Sequence, residues 1–364
     1  MSNSDMMVLT VDKAIRQLKN LYCTAIMKNN LSKNLPPVML WGPPGVGKSQ
    51  GVRQLALKIQ AETGKTVCIT DVRLLLFNPI DLRGIPTANA DKTLAVWLKP
   101  KIFQMDEGEE IVNILFLDEI SSAPQSVQAA AYQITLDRTI GEHRLPKNCI
   151  VIAAGNRITD RSVVNKMPKA LANRFCHIEI KSDFESWKTW AIKKSINEKV
   201  IGYLTFRQSA LDKFEADDSL AFPTPRSWEM ASNILNAVSG DVDSVYPMIA
   251  GCVGLRTAID FCAWTKIYED LPSITDIFSG KETVVPTQTD RLYAVVSSMT
   301  AYANGKKNDL TAIAHSIKYA LKMPPDFSMI LIKDYFAFGE NFKKKLLKLP
   351  ELMDWLRKNG KYLL

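Results

Sequence analysis

"PPVMLWGPPGVGKSQGVRQLALKIQAETG", residues 36–64, changes character twice along its length. It starts as a short apolar run, Val38 to Trp41, with the density of a buried strand. It passes through Gly42, Pro43, Pro44, Gly45, Val46 and Gly47, where three glycines permit a backbone that other residues resist. It ends as an amphipathic segment with Val52, Leu55, Ala56 and Ile59 on one face and Gly64 as a natural stop. "GPPGVGKS" (42–49) fits G-x-x-x-x-G-K-[ST] without a mismatch. In such a loop the backbone N–H groups turn inward around phosphate, and the positive end of the following helix adds to the same spot. Lys48 is then placed for β- and γ-phosphates, Ser49 for Mg²⁺, and Gln50 for the first helical turn beside them.

A second stretch supplies what phosphate chemistry needs. "LFLDEISSAPQSVQAAAYQ" (115–133) ends an apolar run in adjacent acids, Asp118 and Glu119. Asp118 suits a nucleotide-bound metal ion, and Glu119 suits activation of water. The competing reading is a pair of acids at a helix start. "CIVIAAGN" (149–156) ends in Asn156, an amide placed to orient the attacking water, or a simple turn residue. Arg174 in "ALANRF" and Arg226 in "PTPRSWE" stand at element ends, where an arginine is usually a surface ion-pair residue.

Outward from these motifs, apolar runs at 36–42, "TVCIT", 111–117, 149–156 and 176–180 alternate with helical patterns. That alternation predicts an α/β domain with a five-stranded, mostly parallel sheet covered on both faces. Beyond about residue 185 the strand signals fade and the remainder reads as helices. The expected plan is an α/β nucleotide-binding core over 1–185, a helical domain over 186–275, and further helices over 285–364. A looser stretch, "SGKETVVPTQTD" (279–290), separates the last two.

The chain has 364 residues and a formal net charge of +8, which permits an acidic or nucleic-acid partner without demanding one. Six cysteines lie apart without any C-x-x-C, and three histidines show no metal-ligand spacing, so buried free thiols are expected and a zinc site is not. The N-terminus lacks a basic start followed by an apolar stretch, and no apolar run approaches the roughly 18 residues of a membrane span. A cytoplasmic protein without membrane association is the expectation.

Taken in order, "WGPPGVGKS", "LFLDEISSAPQSVQ", "AAGN", "ALANRF" and "PTPRSWE" resemble the MoxR branch of the AAA+ ATPases. The likeness spans about residues 10–270 and is similar to MoxR-like ATPases of bacterial and phage genomes, found beside von Willebrand factor A (VWA) domain proteins. The resemblance implies a P-loop core with a helical lid, a homo-oligomeric ring of six, and ATP with Mg²⁺ held between neighbouring subunits. It implies Asn156 as the sensor on the fourth strand, Arg174 as the finger reaching a neighbour's γ-phosphate, and Arg226 as the lid sensor. Where many relatives read "DEINRA", this chain reads "DEISSA", with Ser121 and Ser122. Arg138 and Arg161 are alternative fingers.

Three readings of the work follow. One is a chaperone-like ring that uses ATP to remodel a protein client of VWA type. Another is a nucleic-acid motor, helicase-like or restriction-type, which the basic charge allows but no helicase motif supports. The third is a slow, nucleotide-gated scaffold. The insertion "LFNPIDLRGIPTANADKTLAVWLKP" (76–100) places Trp97 on a hairpin, either facing a partner or packed on the core. The lysines of the tail, Lys343, Lys344, Lys345 and Lys348, read as a polyanion contact or a solvated helix face.

Overall fold

The computed structural model describes residues 6–29, 31, 35–140, 142–157, 160, 165, 167–214, 219–238, 241–281 and 283–359. The chain divides into two units, Met1–Asp183 and Phe184–Leu364.

The first unit opens with strand β1 (Met7–Thr10) and helix α1 (Val11–Met27). The Thr10 side chain accepts from the Lys13 N–H and so caps the helix. Strand β2 (Val38–Trp41) leads through the glycine loop into α2 (Lys48–Thr63), followed by β3 (Thr66–Arg73). A short helix α3 (Pro79–Arg83) and the hairpin β4 (Ile85–Ala88) and β5 (Ala95–Leu98) form the insertion. Then come β6 (Ile111–Asp118), α4 (Gln125–Leu136), and the small pair β7 (Thr139–Ile140) and β8 (His143–Arg144). Strand β9 (Cys149–Gly155), α5 (Lys169–Ala172) and β10 (Cys176–Lys181) complete the unit.

The five expected strands are present, contiguous and parallel, but the sheet has a sixth: its order is β1-β10-β2-β9-β6-β3. The extra strand is β1, whose four residues pair with β10 at the edge. The buried strands alternate sides with period two. Leu40, Ile114, Phe116 and Ile152 face one apolar cluster with Ile15 and Leu18 of α1 and Val52, Leu55 and Ile59 of α2. Met39, Leu115, Leu117 and Val151 face the other, with Leu82 of α3 and Val127, Ala131 and Ile134 of α4. Covering on both faces explains why these strands read as continuous apolar runs. Trp97 is half-buried on the hairpin and joins neither cluster, so it is not the core residue that one reading expected. All six cysteines are free, yet Cys68 on β3 and Cys176 on β10 are exposed, against the expectation of burial.

The second unit is helical: α6 (Phe184–Lys193), α7 (Glu198–Phe206), α8 (Pro225–Ala237), α9 (Tyr246–Val253) and α10 (Leu255–Thr265) surround one apolar cluster built on Trp187, Tyr203, Trp228 and Phe261. Helices α11 (Ile274–Ser279), α12 (Thr289–Gly305), α13 (Leu310–Ala320), α14 (Pro325–Phe336), α15 (Glu340–Leu346) and α16 (Pro350–Asn359) surround a second, with Phe278, Met299, Tyr335 and Trp355. Helix α12 serves both, giving Ala294 to the first and Val295 and Val296 to the second. No helix among the described residues is long and apolar enough to cross a membrane.

Candidate functional site

Parallel strands direct their C-terminal ends to one edge, where ligands of α/β sheets collect. Three such ends, of β2, β6 and β9, bring the sequence motifs together. Trp41 ends β2, and Gly42 follows with its N–H donating to the Gly155 carbonyl on β9 (3.3 Å). The loop turns at Gly45 and Gly47, and Gly47 takes a φ of +101° as the cap of α2, a region that favours glycine. Gly47 carries no side-chain cap, which leaves the α2 N-terminus to a ligand.

Lys48 folds back over this loop. Its Nζ donates to the carbonyls of Gly42 (2.5 Å) and Pro43 (3.0 Å) and to Asn156 Oδ1 (3.0 Å). Ser49 Oγ donates to Asp118 Oδ2 at 2.7 Å. A hydroxyl and a carboxylate at this separation form an oxygen-only donor set, which suits a hard cation such as Mg²⁺ that keeps phosphate oxygens and waters as its other ligands. Among the described residues no cluster of three or more His, Cys, Asp or Glu forms a self-sufficient metal cage. Donors supplied partly by a bound phosphate fit that finding.

Glu119 follows Asp118 with a φ of +59°, which a non-glycine residue rarely adopts. Its N–H donates to Asp118 Oδ1 (2.9 Å) and its carbonyl accepts from Ser122 N–H (3.0 Å). Helix α4 begins only at Gln125, so the two acids are not a helix-start pair; they belong to the strand end and the turn after it.

Sequence reading noted Ser121 only as a departure and gave it no role. It is fully buried, and its Oγ accepts from the Asn156 N–H at 2.9 Å. A Cβ on Gly155 would come within 2.6 Å of that oxygen, so a side chain there would push the β9 end off Ser121. Two neighbouring arrangements were equally illegible. Arg157 pairs with Asp160 (2.6 Å) and Glu179 (2.5 Å). Burial alone would weaken its charge; the two carboxylates outweigh that and hold its pKa above the ordinary value. His177 Nε2 donates to the Ala172 carbonyl and Nδ1 accepts from Trp41 Nε1, each at 2.8 Å. These contacts require the neutral ring with its proton on Nε2, and they tie the root of the phosphate loop to the segment before Arg174.

Arg174 is half-buried in the turn between α5 and β10. Arg138, at φ +53°, spends its guanidinium inside its own domain, donating to the carbonyls of Cys149 (2.5 Å) and Pro146 (3.3 Å). Arg161 lies outside the described residues. In the second unit Arg226 is exposed in the first turn of α8, whose start is fixed by a capping box between Thr224 and Ser227. A pocket of apolar lining, with Val11, Ile15, Leu40 and Val52, opens beside Gly47 and Lys48.

Residues 37–177 match the family model described as ATPase family associated with various cellular activities (AAA). The matched span holds the glycine loop, both acids, Ser121, Asn156 and Arg174, and it leaves out α1 and the whole second unit. With the sheet order, it defines the first unit as a P-loop NTPase domain of AAA+ fold. No curated protein matches the chain. Among solved structures it is similar to PCH-2 of C. elegans, at 14% identity over 69% of this chain and 67% of that one, TM-score 0.34. A RuvB mutant of Thermotoga maritima matches at 17% identity over 81% and 86%, TM-score 0.35. NtrX of Brucella abortus in complex with ADP matches at 15% over 96% and 72%, TM-score 0.36. Likeness at this level says nothing about what the chain acts on.

Proposed function

We propose that this protein is a Mg²⁺-dependent ATPase of the MoxR type, working as a ring that remodels a partner protein, with a VWA-domain protein as the favoured client. The observation that carries the reading is one hydrogen-bonded set: Lys48 to Asn156, Ser49 to Asp118, and Glu119 on the strained turn between them.

Each group has a task in phosphoryl transfer. The loop N–H groups and Lys48 hold the phosphates of the substrate; Lys48 exchanges its resting carbonyl acceptors for phosphate oxygens. Ser49 and Asp118 hold the metal ion. When bound, Mg²⁺ supplies neutralisation of charge on the β- and γ-phosphate oxygens. Glu119 accepts the proton of the attacking water, and Asn156 orients that water, with its backbone fixed by Ser121. Arg174 stabilises charge on the phosphoryl group of a neighbouring subunit, and Arg226 reports nucleotide state from the lid. Single-residue variants test the assignment: Glu119→Gln should bind nucleotide and fail to hydrolyse it. Turnover at the normal rate by that variant would remove Glu119 from the mechanism.

A further inference from the structure

The whole-chain charge hides an internal contrast. Residues 184–304 carry eleven lysines and arginines against fifteen aspartates and glutamates, whereas residues 305–364 carry twelve against six. Three of the six acids of the basic segment sit in ion pairs, two of them with bases of the same segment, and Asp326 and Glu340 are exposed. Asp334 is buried against Lys188 at 2.8 Å, Glu351 pairs with Lys318, and Asp354 pairs with Arg357. Among the described residues, Lys307, Lys333, Lys343, Lys344, Lys345 and Lys348 form no ion pair.

Three elements contribute these lysines. Lys307, just past α12, lies 4.9 Å over the Phe338 ring, and Phe338 packs on Phe342 of α15 (5.3 Å). Lys343 of α15 lies 5.3 Å over the ring of Phe336, which ends α14. Lys333 precedes Phe336 by three residues and therefore shares its side of α14. Lys344, Lys345 and Lys348 are exposed. The aromatic rings hold the two inner ammonium groups in place.

The composition distinguishes two kinds of partner. Protein interfaces are depleted in lysine and need an apolar centre. Among the described residues from 305 onward, only Leu347 and Met353, each 43% exposed, are large apolar side chains at the surface. Lysine ammonium groups without an apolar centre suit a regular row of phosphates, which they hold without reading bases.

We propose that the surface formed by the end of α12, α14 and α15 binds the phosphate backbone of nucleic acid without sequence preference. This surface shares no residue with the hydrolytic site and does not require that nucleic acid stimulate turnover. It would localise the ring while the first unit acts on its client.

The test is fluorescence anisotropy of a short fluorescein-labelled DNA duplex with the full chain, at several salt concentrations. The triple variant Lys344→Gln/Lys345→Gln/Lys348→Gln is expected to bind at least about tenfold more weakly at low salt, with the slope of log affinity on log salt reduced by about 2.7, at ~0.9 per lost phosphate contact. The exposed set Lys58→Gln/Lys193→Gln/Lys194→Gln serves as the charge-matched control and should bind like the parent. An unchanged ATPase rate in the triple variant shows that it folds. Three results would overturn the proposal: no duplex binding by the parent chain, equal weakening in the control, or binding of labelled polyglutamate in place of the duplex.

Discussion

Replacing Asn156 by alanine separates binding from chemistry more sharply than any change in the glycine loop. In the resting site Lys48 Nζ donates to Asn156 Oδ1 at 3.0 Å as well as to the carbonyls of Gly42 and Pro43. Removing the amide leaves Lys48 with the carbonyls of Gly42 and Pro43, so the loop keeps its lysine in place. Nucleotide affinity should stay within about threefold of the parent, since the lost contact is one that the nucleotide must displace anyway. The amide that orients water is lost outright. A hydrogen bond to a charged or charge-developing group contributes about 1.5–3 kcal/mol, so kcat should fall roughly ten- to hundredfold. The assay pairs steady-state phosphate release with a fluorescent-nucleotide titration of the same preparation. A kcat within twofold of the parent would refute the assignment. So would a large loss of affinity, because it would make Asn156 a binding residue. Ser121→Ala offers a milder version: it strips the acceptor from the Asn156 N–H and should lower kcat by less than Asn156→Ala does, in proportion to the lost positioning.

The other expectations concern the remaining parts. Lys48→Ala should abolish nucleotide binding, and normal titration by that variant would break the phosphate-loop assignment. Arg174→Ala should keep affinity and lose turnover, with partial recovery on mixing with Lys48→Ala subunits, whose Arg174 is intact. Mixtures that stay inactive at every ratio would count against a finger acting across subunits. Lys188→Met should destabilise the second unit by about 3–5 kcal/mol in chemical denaturation, because it strands the buried Asp334 carboxylate. An unchanged midpoint would mean that Asp334 is neutral in the folded protein.

The parts of the site that were legible are those whose chemistry constrains neighbours in sequence. A phosphate loop needs glycines, a lysine and a hydroxyl at fixed offsets, and Asp118 and Glu119 follow directly from an apolar run. Asn156 was legible because its strand ends there. What stayed hidden depends on contacts between distant segments. Ser121 matters only because the β9 end passes above it, and Arg157 matters only because folding brings Glu179 of β10 beside it. The sixth strand escaped because Met7 and Val8 are exposed on a short edge, so β1 lacks the apolar density that marked the other five. Arg138 looked like a free finger by position, whereas its left-handed backbone turns it toward the carbonyls of Pro146 and Cys149. In the second unit the helices were plain from their periodicity and the lysines of the tail from their run, but the aromatic rings beneath Lys307 and Lys343 were not legible.

Central to this account is a hydrolytic site completed by a neighbouring subunit. Steady-state ATPase measured as a function of the protein's own concentration tests it most directly. Specific activity should rise with concentration and then level off as rings fill. Activity per subunit that is already maximal at high dilution, and stays constant as concentration increases, would contradict it.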